Sequence, residues 1–160
     1  MATEIERKFL LASDDWRNNI QYSKHYIQGY FSTNDACSIR IRVCDEQASL
    51  NIKSATLGIR RSEYDYPIPI DDAMEMLQNL CKKPLLEKTR YFINHDNHTW
   101  EIDEFSGDNE GLVVAEIELD ATDEELTLPD WAGKEVSDDP RYYNTCLATN
   151  PYKNWKDKKV

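Results

Sequence analysis

The chain has 160 residues, the length of one ordinary domain, and 40% of them are hydrophobic, which is enough to close a single core. Its net charge of −11 argues against nucleic acid as the main partner, because phosphate backbones need a basic surface. No apolar run approaches the roughly 20 residues of a membrane span, and neither a signal-peptide pattern nor a metal-type cysteine spacing is present. We therefore expect a cytoplasmic protein without a membrane partner.

Most of the chain alternates polar and apolar residues with a period of two, which predicts strands. The eight predicted strands span residues 4–9, 26–32, 38–43, 49–54, 60–68, 86–93, 99–105 and 112–119. The short gaps between them favour an antiparallel meander over βαβ units. Helices are predicted near 14–20, over 71–80 with Asp71 and Asp72 as caps, after Asp123, and over 142–148. Residues 1–150 are predicted to form one domain, followed by a frayed basic tail over 151–160.

One face of the predicted strands carries charges whose sign repeats along each strand. Its acids are Glu4, Glu6, Glu63, Asp65, Glu101, Asp103, Glu116 and Glu118. Its bases are Lys8, Arg40, Arg42, Lys53, Arg61, Lys88 and Arg90. A sheet with one solvent face would also alternate. However, like charges two residues apart on one face repel, so their recurrence on five or six strands indicates a face that holds a counter-charge.

This charged face has the chemistry of a site for a metal–phosphate complex. Carboxylates are the hard oxygen ligands that Mg²⁺ or Mn²⁺ prefers, and arginine and lysine suit phosphate. A closed sheet of eight strands has room for side chains and one small ligand. We therefore predict a mainly β, α+β fold, built as a closed eight-stranded antiparallel barrel with a charged interior and an apolar outer wall covered by a few helices.

The two acids Glu116 and Glu118 lie two residues apart, so on a strand their positions are separated by about 6.6 Å. Acids this close repel unless a cation lies between or beside them. Glutamine in place of Glu116 or Glu4 would relieve this repulsion, so the sequence predicts that either change leaves the fold intact and slightly raises the stability of the metal-free protein.

An ordered series of short motifs runs through the chain to about residue 150. The motifs are Glu4-Ile5-Glu6-Arg7-Lys8-Phe9, Gln28-Gly29-Tyr30, Arg40-Ile41-Arg42, Ile52-Lys53-Ser54, Glu87-Lys88-Thr89-Arg90-Tyr91, Glu101-Ile102-Asp103, Ala115-Glu116-Ile117-Glu118, Gly133-Lys134-Glu135-Val136 and Arg141-Tyr142-Tyr143-Asn144. The series resembles the CYTH superfamily, the triphosphate tunnel metalloenzymes, and most of all its short prokaryotic branch, whose members act as inorganic triphosphatases. That branch often has a basic residue where this chain has Pro140, so we assign no cationic role there.

The resemblance implies roles for the charged face. The implied catalytic residues are Glu4, Glu6, Lys8, Tyr30, Lys88, Glu116 and Glu118. The implied substrate-binding residues are Lys8, Arg40, Arg42, Lys53, Arg61, Lys88 and Arg90. The implied metal ligands are Glu4, Glu6, Glu63, Asp103, Glu116 and Glu118. One cation would lie on the phosphates and a second would orient or acidify the attacking water. Tyr30 either points inward to assist Lys8 or Lys88, or serves packing.

The predicted function is metal-dependent hydrolysis of tripolyphosphate to pyrophosphate and phosphate, with Mg²⁺ or Mn²⁺ as cofactor and a small triphosphate as partner. The alternatives in the same tunnel are a class IV adenylate cyclase and a thiamine or nucleoside triphosphatase. A non-catalytic polyphosphate-binding module is a further alternative, although a pure anion binder gains little from so many carboxylates. A homodimer is compatible with the sequence.

Overall fold

The structure is a computed structural model that describes residues 2–32, 36–55 and 58–156. Within these ranges the strands are β1 (Ala2–Leu11), β2 (Ile20–Tyr30), β3 (Cys37–Cys44), β4 (Gln47–Ser54), β5 (Arg60–Ile68), β6 (Leu86–His95), β7 (His98–Phe105), β8 (Val113–Glu118) and β9 (Ala132–Glu135). The α-helices are α1 (Ile70–Asn79) and α2 (Asn144–Leu147), and short 3₁₀ turns cover Asp15–Asn19, Gly107–Asn109, Pro140–Tyr142 and Tyr152–Asn154. The eight predicted strands correspond to β1 through β8.

The strands form a closed antiparallel barrel. Their order is β5-β4-β3-β2-β6-β7-β8-β1, and the ring closes because β1 also pairs with β5, with Glu4 opposite Arg61. The ninth strand pairs with the far end of β1, where Phe9 lies opposite Glu135, and stays outside the ring. Closure leaves the eight strands without a free edge and gives every strand an inner and an outer face. The predicted eight-stranded barrel is confirmed.

The outer face of the barrel is apolar and covered by the segments between the strands. Helix α1 packs Ala73 and Leu77 on Ile41 and Val43 of β3. Two further clusters cover the rest of the wall. One is built around Trp16, Trp100 and Trp131, and the other around Tyr142, Leu147 and Trp155. Because the outer wall supplies the hydrophobic core, the inner face is free to be polar.

Two local predictions are wrong. Asp71 and Asp72 do not cap helix α1, because the N-cap residue is Pro69 and no side chain caps the helix. Both acids lie in the first turn, where their negative charges interact favourably with the positive end of the helix dipole. The predicted helix after Asp123 is instead a turn and extended chain. There, Leu126 packs on the core, and Pro129 stops regular hydrogen bonding before Trp131. The four-residue β9 was missed because it is too short for its alternation to stand out.

The prediction that the C-terminal tail is frayed is also wrong for residues 151–155. Trp155 is only 7% exposed and packs edge-on against Tyr142 and Tyr152. The lysines suggested a solvated end, but the aromatic residues between them anchor it to the barrel wall. Residues 157–160, with Lys158 and Lys159, lie outside the described residues, and the domain boundary at 150 stays a prediction. Among the described residues, no helix is both long enough and apolar enough to cross a membrane.

Candidate active site

The predicted charged face lines one cavity of about 260 Å³ inside the barrel, and only Lys88 and Asp103 of that face are not in the lining. The remaining lining residues are Tyr30, Ser38, Ser49, Asn51, Tyr143, Asn144 and Thr145. Tyr30 also packs in the apolar cluster around Leu86, so its packing role is observed, and assistance to Lys8 or Lys88 stays a prediction.

Apart from Tyr30, the polar neutral residues of the lining were not predicted as site residues. Some of them could have been found from the sequence, and others could not. Ser38 shares the strand parity of Arg40, and Asn51 that of Lys53, so period-two alternation alone would have found them. The segment Tyr143–Thr145 lies outside the sheet and carries no periodic signal. It reaches the cavity because Lys8 Nζ donates a hydrogen bond to the Tyr142 carbonyl oxygen (3.3 Å) and Tyr143 Oη donates to the Ser137 carbonyl oxygen (2.7 Å).

Carboxylates face each other where β1 and β8 pair, because Glu6 lies directly opposite Glu118. Like charges in opposite positions of a strand pair repel. Burial, with the nearby Glu116 and Glu4 carboxylates, raises the pKa of Glu6 to about 8. Burial and neighbouring acids also raise the pKa of Glu118, which makes no ion pair within the described residues. Among the described residues, the Glu6–Glu118 pair has one ion pair, from Arg61 Nη2 to Glu6 at 3.7 Å, so its negative charge is only partly balanced.

The neighbouring acids are, in contrast, tightly paired. Glu116 accepts from Lys8 Nζ at 3.0 Å and from Arg90 Nη2 at 3.1 Å. Burial disfavours the Glu116 carboxylate, but these two cations outweigh it and hold its pKa well below the usual range. Glu4 likewise lies 2.9 Å from Lys53 Nζ and 3.7 Å from Arg61. The structure thus argues against the expected stability gain. Removing the Glu116 charge would leave the buried Lys8 without an ion pair among the described residues, and removing the Glu4 charge would take one carboxylate from Lys53 and Arg61.

Lys88 and Asp103 form a fully buried layer behind the cavity wall. Asp103 accepts from Lys88 Nζ at 2.6 Å, and Arg90 donates to both of its oxygens at 2.7 and 2.8 Å. Burial disfavours the Asp103 carboxylate, but Arg90 and Lys88 outweigh it and lower its pKa. Burial lowers the pKa of Lys88 to about 7. The geometry allows this layer to fix the Arg90 guanidinium, which does reach the cavity.

Positive charge is unbalanced on the β3 side of the cavity. Arg40 and Arg42 have no carboxylate within ion-pair distance in the described part of the chain, and Arg40 Nε has no hydrogen-bond partner there. Burial, with the positive charges of Arg40 and Arg90, lowers the pKa of Arg42 to about 10. The buried Arg40 and the half-buried Arg42, whose positive charges repel each other, form a ready site for an anion.

The acidic side has suitable donors for a divalent cation, although they are not assembled around one. Within residues 2–32, 36–55 and 58–156, no three acidic, histidine or cysteine side chains converge closely enough to hold a metal. Glu4 and Glu116 instead contact lysine and arginine. The donor chemistry fits, because several carboxylates share one wall and the unbalanced charge of Glu6 and Glu118 would be relieved by a hard cation.

Comparison with known proteins agrees with this architecture. A family model described as the CYTH domain matches residues 2–143. The inorganic triphosphatase of Acetivibrio thermocellus is 45% identical over 157 residues, covering 98% of this chain and 100% of that protein. The inorganic triphosphatase of Nitrosomonas europaea is 34% identical over 150 residues, covering 91% and 97%. A crystal structure of an inorganic triphosphatase matches with a TM-score of 0.67 and 32% identity, covering 92% and 95%. The resemblance found in the sequence is confirmed, and the chain belongs to the CYTH domain family.

Proposed function

We propose that this protein is an inorganic triphosphatase, which hydrolyses tripolyphosphate to pyrophosphate and phosphate inside the barrel. One observation carries the proposal: a single cavity combines guanidinium groups on β3 that have no carboxylate partner with carboxylates on β1 and β8 that are at most partly balanced. The substrate would supply the partner of the guanidinium groups, and its cation would balance the carboxylates. The name shared by the two relatives supports the same activity.

The basic residues would bind and orient the triphosphate, which carries about four to five negative charges near neutral pH. Arg40 and Arg42 are available without breaking an ion pair, so they are the first contacts we assign. Lys8, Lys53 and Arg61 line the same cavity and would turn from their carboxylates toward the phosphates, whereas Arg90 would meet the phosphates in the orientation that Asp103 holds. Lys88 would contribute behind the wall, through Asp103 and Arg90.

Family membership implies a divalent metal, and we propose Mg²⁺ or Mn²⁺. The carboxylates that line the cavity, Glu4, Glu6, Glu63, Glu116 and Glu118, would hold it. Such a cation neutralises phosphate charge and lowers the pKa of a bound water. We leave Asp103 out of this set, because Arg90 and Lys88 already take both of its oxygens.

The small volume of the cavity favours inorganic triphosphate over a nucleotide. At about 260 Å³ it lies below the range of about 300–1,000 Å³ that is typical of pockets for drug-sized ligands. Its lining is almost entirely polar or charged, with tyrosine as the only aromatic residue type among the described lining residues. A triphosphate without a base or a thiazolium ring needs no apolar wall.

We expect tripolyphosphate to be hydrolysed faster than ATP, thiamine triphosphate or pyrophosphate when phosphate release is measured with Mg²⁺ and with Mn²⁺. The physical reason is the largely polar cavity, in which Tyr30 and Tyr143 are the only aromatic residues among the described lining residues, so little apolar surface is present to bury an organic ring. The same reactions are assayed for cyclic AMP. Faster turnover of ATP would identify a nucleoside triphosphatase, cyclic AMP would identify a cyclase, and binding without turnover of any substrate would identify a polyphosphate-binding module.

Replacing Arg40 with alanine is expected to weaken the affinity for tripolyphosphate by about tenfold to a hundredfold, because each charge-assisted hydrogen bond contributes roughly 1.5–3 kcal/mol. Binding of Mn²⁺ alone, measured by calorimetry, should change little. Arg60→Ala is the matched control, since this exposed arginine lies on β5 outside the cavity lining. Equal effects of the two substitutions would remove Arg40 from the proposed phosphate site.

A further inference from the structure

Gln28 is a fully buried polar residue for which the reaction described above gives no role. It lies on β2, directly opposite Arg42 of β3, and its Oε1 accepts a hydrogen bond from Arg42 Nε at 3.1 Å. Its Nε2 has no partner among the described residues. An unmet buried donor costs about 1–3 kcal/mol, so a hydrophobic side chain of similar volume would serve packing better. Stability therefore does not explain a glutamine at this position.

The surroundings of Arg42 differ from those of Arg90 and Arg61, which line the same cavity. Arg90 is held by carboxylates and Arg61 lies near two of them, whereas Arg42 is held by the Gln28 amide and by the Tyr26 ring, 4.5 Å from its guanidinium carbon. Both supports are electrically neutral. A carboxylate would hold Arg42 equally well, but it would also cancel the charge that an anion has to meet.

We propose that Gln28 is a positioning residue, which holds the Arg42 guanidinium at the cavity wall through a neutral hydrogen bond and leaves its positive charge free for the triphosphate. Arg42 Nε donates the hydrogen bond to Gln28 that holds the guanidinium group in place. The two terminal nitrogen atoms remain for the substrate, in the planar fork that suits a phosphate group. This inference rests on the proposed function, because it assigns Arg42 to phosphate binding.

The test is the substitution Gln28→Glu, which keeps the shape and the hydrogen-bond acceptor but adds a negative charge beside Arg42. We expect the KM for tripolyphosphate to rise at least tenfold, with a smaller change in kcat and without a loss of thermal stability. Gln28→Met, which keeps the volume and removes the acceptor, should raise KM several-fold and leave the fold intact. Gln21→Glu is the matched control, because it adds the same charge at an exposed position of the same strand and should leave KM unchanged.

A double-mutant cycle separates action through Arg42 from a general effect on the barrel. In an Arg42→Ala background, Gln28→Glu should cause little further rise in KM. A wild-type KM in Gln28→Glu, or an equal rise with and without Arg42, would overturn the positioning role. Failure of the proposed function would look different, because the wild-type protein itself would then not hydrolyse tripolyphosphate. In that case, calorimetry of tripolyphosphate binding would still report whether Gln28→Glu weakens the anion site.

Discussion

Asp103→Asn is expected to lower the stability of the protein by about 3 kcal/mol and to reduce kcat/KM for tripolyphosphate by at least about a hundredfold. The substitution removes one partner of a buried charge network, which typically costs about 3–5 kcal/mol. It leaves Lys88 without its carboxylate and takes from Arg90 the two-pronged contact that fixes its plane. Urea unfolding and steady-state kinetics measure the two effects.

The same variant decides between two roles for Asp103. If Asp103 positions Arg90, the rise in melting temperature on adding Mn²⁺ should survive the substitution, because the carboxylate is behind the wall and does not line the cavity. If Asp103 is instead a metal ligand, as the family resemblance implied, that rise should disappear. Glu104→Gln is the control: it removes a neighbouring surface charge paired with Arg17 and should change stability by less than about 1 kcal/mol.

The fold could be predicted from the sequence because two signals agreed on most of the long strands, with β2 the exception because it carries none of the repeated charges. Period-two alternation located β1 through β8, and the repeated charges on one parity showed that the inner face was the polar one. The sequence pattern did not predict the individual side-chain contacts that hold segments outside the strands against the barrel. Trp155 anchors the C-terminal segment by packing on Tyr142, and no local pattern distinguishes such an aromatic from an exposed one.

The sequence predicted most of the charged residues of the candidate site, but it did not predict which of them form ion pairs with each other. Parity assigned Lys88 and Asp103 to the charged face, yet the barrel places them one layer deeper than Arg90. Parity also treated Glu6 and Glu116 as equivalent acids on neighbouring strands. Which acid gains a cation depends on the register of β1 against β8, where Lys8 lies opposite Glu116 and Glu6 lies opposite Glu118. Alternation within one strand cannot supply a register between two strands.

This difference in register predicts opposite effects for the same substitution at two neighbouring positions. In metal-free protein at pH 8, Glu6→Gln is expected to raise stability by up to about 4 kcal/mol, since one pKa unit corresponds to about 1.4 kcal/mol and burial, Glu116 and Glu4 raise the pKa of Glu6 from 4.5 to about 8. Glu116→Gln is expected to lower stability by about 3–5 kcal/mol, because Lys8 and Arg90 lose their shared carboxylate. Both variants should lose nearly all turnover, because both remove a proposed metal donor.

The pH dependence gives each effect its own signature. The Glu6 carboxyl has a folded pKa above its unfolded value of 4.5, so the folded state holds its proton more tightly and the charge costs stability as pH rises from about 5 to 8. The gain from Glu6→Gln should therefore be small at pH 5 and level off above pH 8. The Glu116 pKa is lowered, so its contribution is present above 4.5 and is lost as pH falls through the folded value. The loss from Glu116→Gln should consequently be full at pH 6 to 8 and shrink below pH 4.5.

Urea unfolding of the two variants and the wild type, in EDTA at pH 3, 4, 5, 6, 7 and 8, measures both curves. Because each variant replaces a carboxylate by an amide of the same shape, packing is matched and the difference reports charge alone. Destabilisation by both substitutions at pH 8 would mean that Glu6 is also held by a cation, and Arg61, 3.7 Å away, would be the one responsible. Stabilisation by both would mean that Lys8 and Arg90 do not balance Glu116. The expected result is that Glu6→Gln raises stability and Glu116→Gln lowers it at pH 8, and that only the Glu6→Gln effect becomes small at pH 5. This result would place the excess negative charge at Glu6, where the proposed metal would bind.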